Sequence, residues 1–352
     1  MGEAATGAQS RTALDELDDK GAFKRRDSVY RDSIAPGTRF SPEANRYHLY
    51  VSLACPWASR CVATLYLKGL DHVIGLSVTH PTWGRTRPGD PEDLHAGWQF
   101  KSESDPPVPN PAGYGKFCCD GCVPDSVNSA AFVRDLYELA GDTNGKYTVP
   151  VLWDKQHRTI VNNESSDIVR ILNSAFNDMA RNPKLDLYPE EKREEIDVMN
   201  ESVYHAINNG VYKCGFATSQ HAYDTAVKSL FEALDDVEKV LQKKRYLCGD
   251  EMTEADIRLF VTLIRFDIVY IVYFKTDRKA IREYPALKEY VKDLYSVPEI
   301  RKSVNIDHIK THYFTSHPIL NAYAIIPRGP DPWWKEEHNR YKMTKQPVAW
   351  SV

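Results

Sequence analysis

Apolar and polar positions follow two different periods along this chain, and the change falls near residue 180. Residues 47–53 carry aromatic and β-branched side chains with polar interruptions, the pattern of a buried strand. Residues 56–67 then place Val62, Ala63, Leu65 and Leu67 ahead of Gly69. This predicts a helix that accepts Pro56 in its first turn, where amides have no intrahelical acceptor, and that Gly69 stops. Residues 72–79 predict a second strand, and 128–140 a helix with Phe132, Leu136 and Leu139 on one face. Residues 148–154 and 159–161 predict a hairpin, and 162–172 a helix opened by Asn, Ser and Asp. Strand, helix, strand, helix, strand, strand, helix is the order of a thioredoxin-like α/β domain, assigned to residues 41–176.

No strand pattern survives beyond Pro189. Helices are predicted at 190–209, 221–243, 253–274 and 285–296, giving an all-α domain over 189–316. Thr253 and Asp256 have the spacing of a capping box in front of the apolar run. That run, 259–274, is interrupted by Arg265 and Asp267 and is too short for a membrane span, so it reads as a buried helix. Residues 177–189 form a polar joint between the domains. Three segments lie outside these periods. An N-terminal arm (1–40) includes a basic and aromatic stretch over 21–40, expected to lie over the body through packing and salt bridges. A Pro- and Gly-rich insertion (81–124) carries Trp83, Trp98 and Phe100; loops of that length are functional or disordered, and the tryptophans argue against disorder. A C-terminal strap (317–352) contains Trp333 and Trp334 and is expected to wrap the surface.

Composition narrows the class. A chain of 352 residues has room for two domains and needs no staples. A net charge of −4 argues against nucleic acid as the main partner. Residues 1–10 lack the basic and apolar regions of a signal peptide. Seven cysteines, an odd and scattered set, suggest reduced thiols and a cytoplasmic setting. Cys118, Cys119 and Cys122 cluster, but no matching second pair of zinc ligands follows, so no metal is expected and surface thiols on a loop are.

The chemistry concentrates at Cys55. It stands where a strand turns into a helix, so the free amides and positive dipole end face its sulfur and predict a lowered thiol pKa. A lone cysteine without that context is usually a small buried hydrophobe. Ala58 occupies the place of the second cysteine of a thioredoxin-type motif, so a mixed disulfide at Cys55 needs an external thiol to resolve it. Pro150 inside a strand pattern marks either a trans Pro at a strand start or a cis Val149–Pro150 turn facing Cys55. The cis form would leave the Val149 backbone able to pair with an extended ligand. Glu164 and Ser165 sit at a helix start, where a hydroxyl and free amides bind a carboxylate and Glu164 can meet an ammonium. Simple capping is the plainer reading, and both can hold together.

These features resemble the cytosolic glutathione transferases, and the detail is closer still. Cys55-Pro56-Trp57-Ala58, Trp98, Thr148-Val149-Pro150-Val151, Asn163-Glu164-Ser165-Ser166 and Asn208-Asn209-Gly210-Val211-Tyr212-Lys213 resemble the glutathionyl-hydroquinone reductases, the Xi class. Asp307-His308-Ile309-Lys310 with Tyr313, and Ile326-Pro327-Arg328-Gly329-Pro330, fit the same pattern. The resemblance implies that Cys55 attacks the sulfur of a glutathionyl-hydroquinone and that a second glutathione releases Cys55. It implies a glutathione site at Trp98, Val149, Pro150, Glu164 and Ser165. The hydroquinone side would be built by Tyr204, His308 and one or both of Tyr295 and Tyr313, with Tyr204 and His308 in catalytic roles. A homodimer is implied as well. Two other readings are an omega-like thioltransferase or dehydroascorbate reductase, which also needs a lone Cys but leaves the insertion and the Asn-Gly-Val-Tyr motif unexplained, and a non-catalytic ligand-binding module, which needs no nucleophile at a helix start.

Overall fold

A computed structural model describes residues 16–344. The expected arm and strap extend beyond these limits, to residues 1–15 and 345–352. The first domain is built on a four-stranded sheet in the order β2-β1-β5-β6. Strand β1 (Tyr47–Val51) is buried along its whole length, as its apolar run requires, and pairs in parallel with β2 (Gly75–Val78). On its other edge β1 runs antiparallel to β5 (Val151–Asp154), from Tyr47 opposite Asp154 to Tyr50 opposite Val151. β5 continues into β6 (Thr159–Asn162) as a hairpin. Helix α1 (Pro56–Leu67) crosses back from β1 and packs against α3 (Ser165–Ser174). α1 ends at Gly69 with φ +65°, the Gly69 and Leu70 amides donating to Tyr66 and Leu65. A Cβ at Gly69 would lie 2.6 Å from that of Arg181, so the stop is steric as well as conformational.

Two readings in this domain change. The helix expected over 128–140 is only α2 (Val133–Leu139), with Val133, Leu136 and Tyr137 buried and Leu139 49% exposed. The segment before it is bound instead by the Asp125 carboxylate, which accepts the amides of Val127, Asn128 and Ala130 and the Tyr50 hydroxyl. The insertion is not structureless. It holds a two-stranded ribbon of β3 (Gly84–Arg85) and β4 (Ala96–Gly97), and it is tied to β2 where Val78 and Val123 bridge.

The second domain contains α4 (Arg193–Val203), α5 (Gly210–Phe216), α6 (Gln220–Leu241), α7 (Glu254–Arg265), α8 (Ile271–Tyr273), α9 (Pro285–Ser296), α10 (Pro298–Arg301) and α11 (Ile306–Thr315). A π-helical turn follows α4 at Tyr204–Asn208, and another follows α7 at Phe266–Tyr270. Sequence periodicity merged these pieces into single helices and left α5, α10 and α11 unread. The Thr253–Asp256 box forms, and Asp256 also accepts the Leu247 amide and the Tyr290 hydroxyl. α1 packs on α7 and α10, so this helix of the first domain is shared with the second core. In the strap, Trp333 and Trp334 are buried in that core rather than lying on the surface. Among the described residues, no helix is long and apolar enough to cross a membrane.

Candidate active site

Cys55 is the N-cap of α1, with extended backbone (φ −75°, ψ 120°) that ends β1's run and lets Pro56 start the helix. The Val149–Pro150 peptide bond is cis, and the Cys55 thiol donates to the Val149 carbonyl oxygen at 3.5 Å. Cys55 is only 9% exposed but lines a cavity. Its electrostatics differ from the expectation. Burial pushes the thiol above its ordinary range; the Ala58 amide, the Arg265 guanidinium, the Trp57 amide and Arg25 pull it back only in part. The helix start acts as predicted, but desolvation of the charged form outweighs it.

Cys55 lines the second of two adjoining cavities, which share Glu16, Arg25, Trp57, Lys146, Thr148 and Val149 as a common wall. The first is polar and contains Pro150, Glu164, Ser165 and Tyr204. Glu164 caps α3 through the Ser166 amide at 3.1 Å and accepts the Ser28 hydroxyl of the arm at 3.0 Å. The Ser165 hydroxyl accepts from Arg60 at 3.4 Å. Among the described residues nothing pairs with the Val149 amide. An unpaired donor beside a carboxylate and a hydroxyl suits a peptide-like molecule that brings both a carbonyl and an ammonium. Tyr204 belongs to this polar side, its ring 5.9 Å from Trp57.

The second cavity is aromatic, walled by Trp57, Trp83, Trp98, Tyr212, His312, Tyr313 and His317 around Cys55. The hydroxyls of Tyr212 and Tyr313 lie 2.7 Å apart, and Tyr270 reaches Tyr313 at 3.2 Å. His312 Nδ1 lies 3.0 Å from the Pro81 carbonyl oxygen. A carbonyl only accepts, so that nitrogen carries the proton and Nε2 of the neutral ring holds a lone pair. Burial pushes the His312 pKa well below the ordinary imidazole value and that of His317 down to about 4, so both rings are neutral at pH 7. A flat apolar slot edged by phenols and a neutral imidazole can take an aromatic ring with polar substituents.

Two expected site residues are not in either cavity. His308 is buried, and its Nε2 donates to the Asp120 carbonyl oxygen at 2.6 Å, pinning the insertion to α11. The turn at Asp120 lies against it, and a Cβ at Gly121 would come 3.3 Å from its Nε2. Tyr295 lies on α9 in a separate depression with Lys292, Arg301 and Trp334. In place of His308, α11 presents His312, one turn later, together with Tyr313. The thiol cluster differs too: Cys118 is exposed, but Cys119 and Cys122 are buried. Among the described residues, no group of three or more His, Cys, Asp or Glu side chains is placed to hold a metal ion.

Several residues at the site were not singled out from sequence. Arg25 of the arm lies 4.7 Å over the Trp57 ring and 5.1 Å over Tyr212, with its Nε donating to Asn209 at 2.9 Å. Tyr212 stood inside the Asn-Gly-Val-Tyr motif without a role. His312, adjacent to Tyr313, carried no signal that separated it from His308.

The glutathione S-transferase N-terminal domain family matches residues 54–175, and the C-terminal domain family matches residues 220–293. The glutathionyl-hydroquinone reductase YqjG of Escherichia coli (strain K12) is 41% identical over 350 residues, covering 97% of this chain and 98% of its own. The crystal structure of glutathione S-transferase Xi from Phanerochaete chrysosporium superposes with a TM-score of 0.80 at 46% identity, covering 88% of this chain and 98% of that one. The glutathione-bound structure of YqjG gives 0.78 at 40% identity, covering 89% and 96% of the two chains. Likeness of this extent spans both domains, the insertion and the Cys55 turn, and on it the chain belongs to the Xi-class glutathione transferases, the glutathionyl-hydroquinone reductase family.

Proposed function

We propose that this protein is an enzyme that removes glutathione reductively from glutathionyl-hydroquinones. The observation that carries the reading is the thiol of Cys55 in an aromatic slot that shares a wall with a cavity holding Val149, Glu164 and Ser165. Glutathione, the co-substrate, would pair with the Val149 backbone beside Pro150 and place its charged end at Glu164 and Ser165. Trp98 would flank the glutathione sulfur from the wall of the slot. Tyr313 with Tyr212 and His312 would hold the hydroquinone oxygens, and Tyr204 would border the slot entrance.

In the first step the Cys55 thiolate attacks the sulfur of the substrate. A Cys55–glutathione disulfide forms, the aryl carbon–sulfur bond breaks, and the aryl carbon keeps the bonding pair and takes a proton. Carbon is reduced by two electrons while the two sulfurs are oxidised to a disulfide. A phenol at the slot can deliver that proton. A second glutathione thiolate then attacks the mixed disulfide, releasing glutathione disulfide and restoring Cys55. The reaction operates in a reducing, cytoplasmic setting, and the protein works as a homodimer, which light scattering on the purified chain checks.

The deciding experiment compares wild type with Cys55→Ser on glutathionylated quinols, dehydroascorbate and a conjugation electrophile. Cys55→Ser abolishes hydroquinone release, and wild type conjugates little. Full release by Cys55→Ser would refute thiol exchange. Preference for dehydroascorbate would identify an omega-like thioltransferase, and no turnover of any substrate a ligand-binding module.

A further inference from the structure

We propose that Arg265, from the helical domain, is a positioning residue that anchors the Cys55 turn and serves as the fixed counter-charge for negative charge on its sulfur. Arg265 ends α7 and is fully buried. Its Nε donates to the Ala54 carbonyl at 3.0 Å; its Nη2 donates to the Leu53 carbonyl at 2.9 Å and to the Ser59 hydroxyl at 2.8 Å. Nη1 donates to the Val261 carbonyl, one turn back on α7, at 2.7 Å. One planar fork therefore holds the residues on both sides of Cys55, two before it and one four after it, across the domain boundary.

The partners are all neutral. Three other buried arginines have carboxylates, Arg46 with Asp154, Arg245 with Asp293 and Arg258 with Glu254, whereas Arg60 and Arg340 also bond only neutral groups, but away from the Cys55 turn. Arg265 has no carboxylate among the described residues. A buried guanidinium stays charged, and burying it without a counter-ion is costly unless its hydrogen bonds are met and an anion stands close. Here the hydrogen bonds are met largely by the turn itself, and the thiol beside that turn that can become anionic is Cys55. Its pull on Cys55 is stronger than that of Arg25, the other cation facing the sulfur.

Other groups face the same sulfur. Tyr212 of α5 and Cys61 of α1 interact with it electrostatically. His312, Tyr313 and His317 line the slot, and the ion pair of Glu16 and Lys146 stands at its mouth. None of these bonds to the turn on both sides of Cys55, and this separates Arg265 from them.

The inference rests on the thiol-exchange reading, but its test does not need that reaction. Alkylation of Cys55 by iodoacetamide is followed against pH in the full chain, with site-resolved mass spectrometry to separate Cys55 from the exposed Cys118. In Arg265→Gln the midpoint rises by about one unit or more, so alkylation at a fixed neutral pH slows about tenfold. In Arg265→Lys the charge remains, so the midpoint stays within about half a unit. Hydroquinone release by Arg265→Lys still falls, because one ammonium cannot reproduce the fork. An Arg265→Gln protein that loses thermal stability but keeps the wild-type midpoint would reduce Arg265 to packing and overturn the proposal. If Arg265→Gln does not fold, Arg265→Lys decides: an unmoved midpoint supports the counter-charge, and a rise of about a unit overturns it. Failure of Cys55→Ser to lose turnover would refute the reaction alone and leave the alkylation result readable.

Discussion

Trp98 of the insertion lies flat on His312 of α11, with ring centroids 4.4 Å apart and planes 28° from parallel. The stack joins a loop of the first domain to a helix of the second at the wall of the aromatic slot. Trp83 adds an edge contact to Trp98 at 5.6 Å, so the insertion supplies one side of the slot and α11 the other. This gives the long loop a physical purpose: without it, the slot would be an open groove beside Cys55.

His308 and His312 lie on one face of α11, yet their mutants should separate. His312→Ala removes a ring from the slot and is expected to lower hydroquinone release by about a hundredfold, the scale of a lost proton donor or acceptor. His308→Ala frees the Asp120 turn, costs about 1 kcal/mol of stability and leaves turnover nearly intact. Steady-state kinetics with thermal melts on both variants check this, and equal loss of turnover would remove the distinction.

Glu164 both caps α3 and faces the polar cavity. Glu164→Ala should raise the KM for glutathione about tenfold, the weight of one charge-assisted hydrogen bond, while kcat changes little. The lost cap takes about 1 kcal/mol from stability. A glutathione affinity equal to wild type, measured by calorimetry, would take Glu164 out of the site.

Asp256 accepts from Thr253, Leu247 and Tyr290 inside the helical core. Replacing it with Ala leaves buried donors unmet, and a loss of about 3 kcal/mol or more is expected. Urea denaturation followed by fluorescence would show it; a loss below half that figure would mean water or relaxation meets those donors.

Acid should destabilise the fold early. Burial holds the pKa of His48 and of His317 down to about 4, against 6.5 for an unperturbed imidazole. Between pH 6.5 and 4 the unfolded chain binds protons at these rings that the folded chain refuses, so stability falls as pH drops through that window. The upper limit is about 3 kcal/mol for each ring. His48→Gln should flatten the fall in Tm over this range, and an unchanged slope would contradict the assignment.

Much of the site was legible locally. The Cys-Pro junction after β1, the Val149–Pro150 turn and the Glu164–Ser165 helix start each depend on a few neighbouring residues, whose turn and cap chemistry leaves few alternatives. The Thr253–Asp256 box was read for the same reason. The lengths of the helices were less legible. The π-helical turns at Tyr204–Asn208 and Phe266–Tyr270 interrupt runs whose apolar spacing stays helical throughout, so periodicity could not see them.

The amino-acid order by itself determined the two-domain plan and the identity of the lone thiol, because strand, cap and turn signals act over short distances. Only the tertiary structure decided how that thiol is tuned and what it faces. Desolvation of Cys55 depends on packing from both domains, and its cations arrive from Arg25 in the arm and Arg265 at the end of α7. Which histidine of α11 meets the slot was settled by where the insertion folds, since the Asp120 carbonyl holds His308 and Trp98 stacks on His312. Burial and electrostatic fields are properties of neighbours in space, and no local pattern in the chain records them.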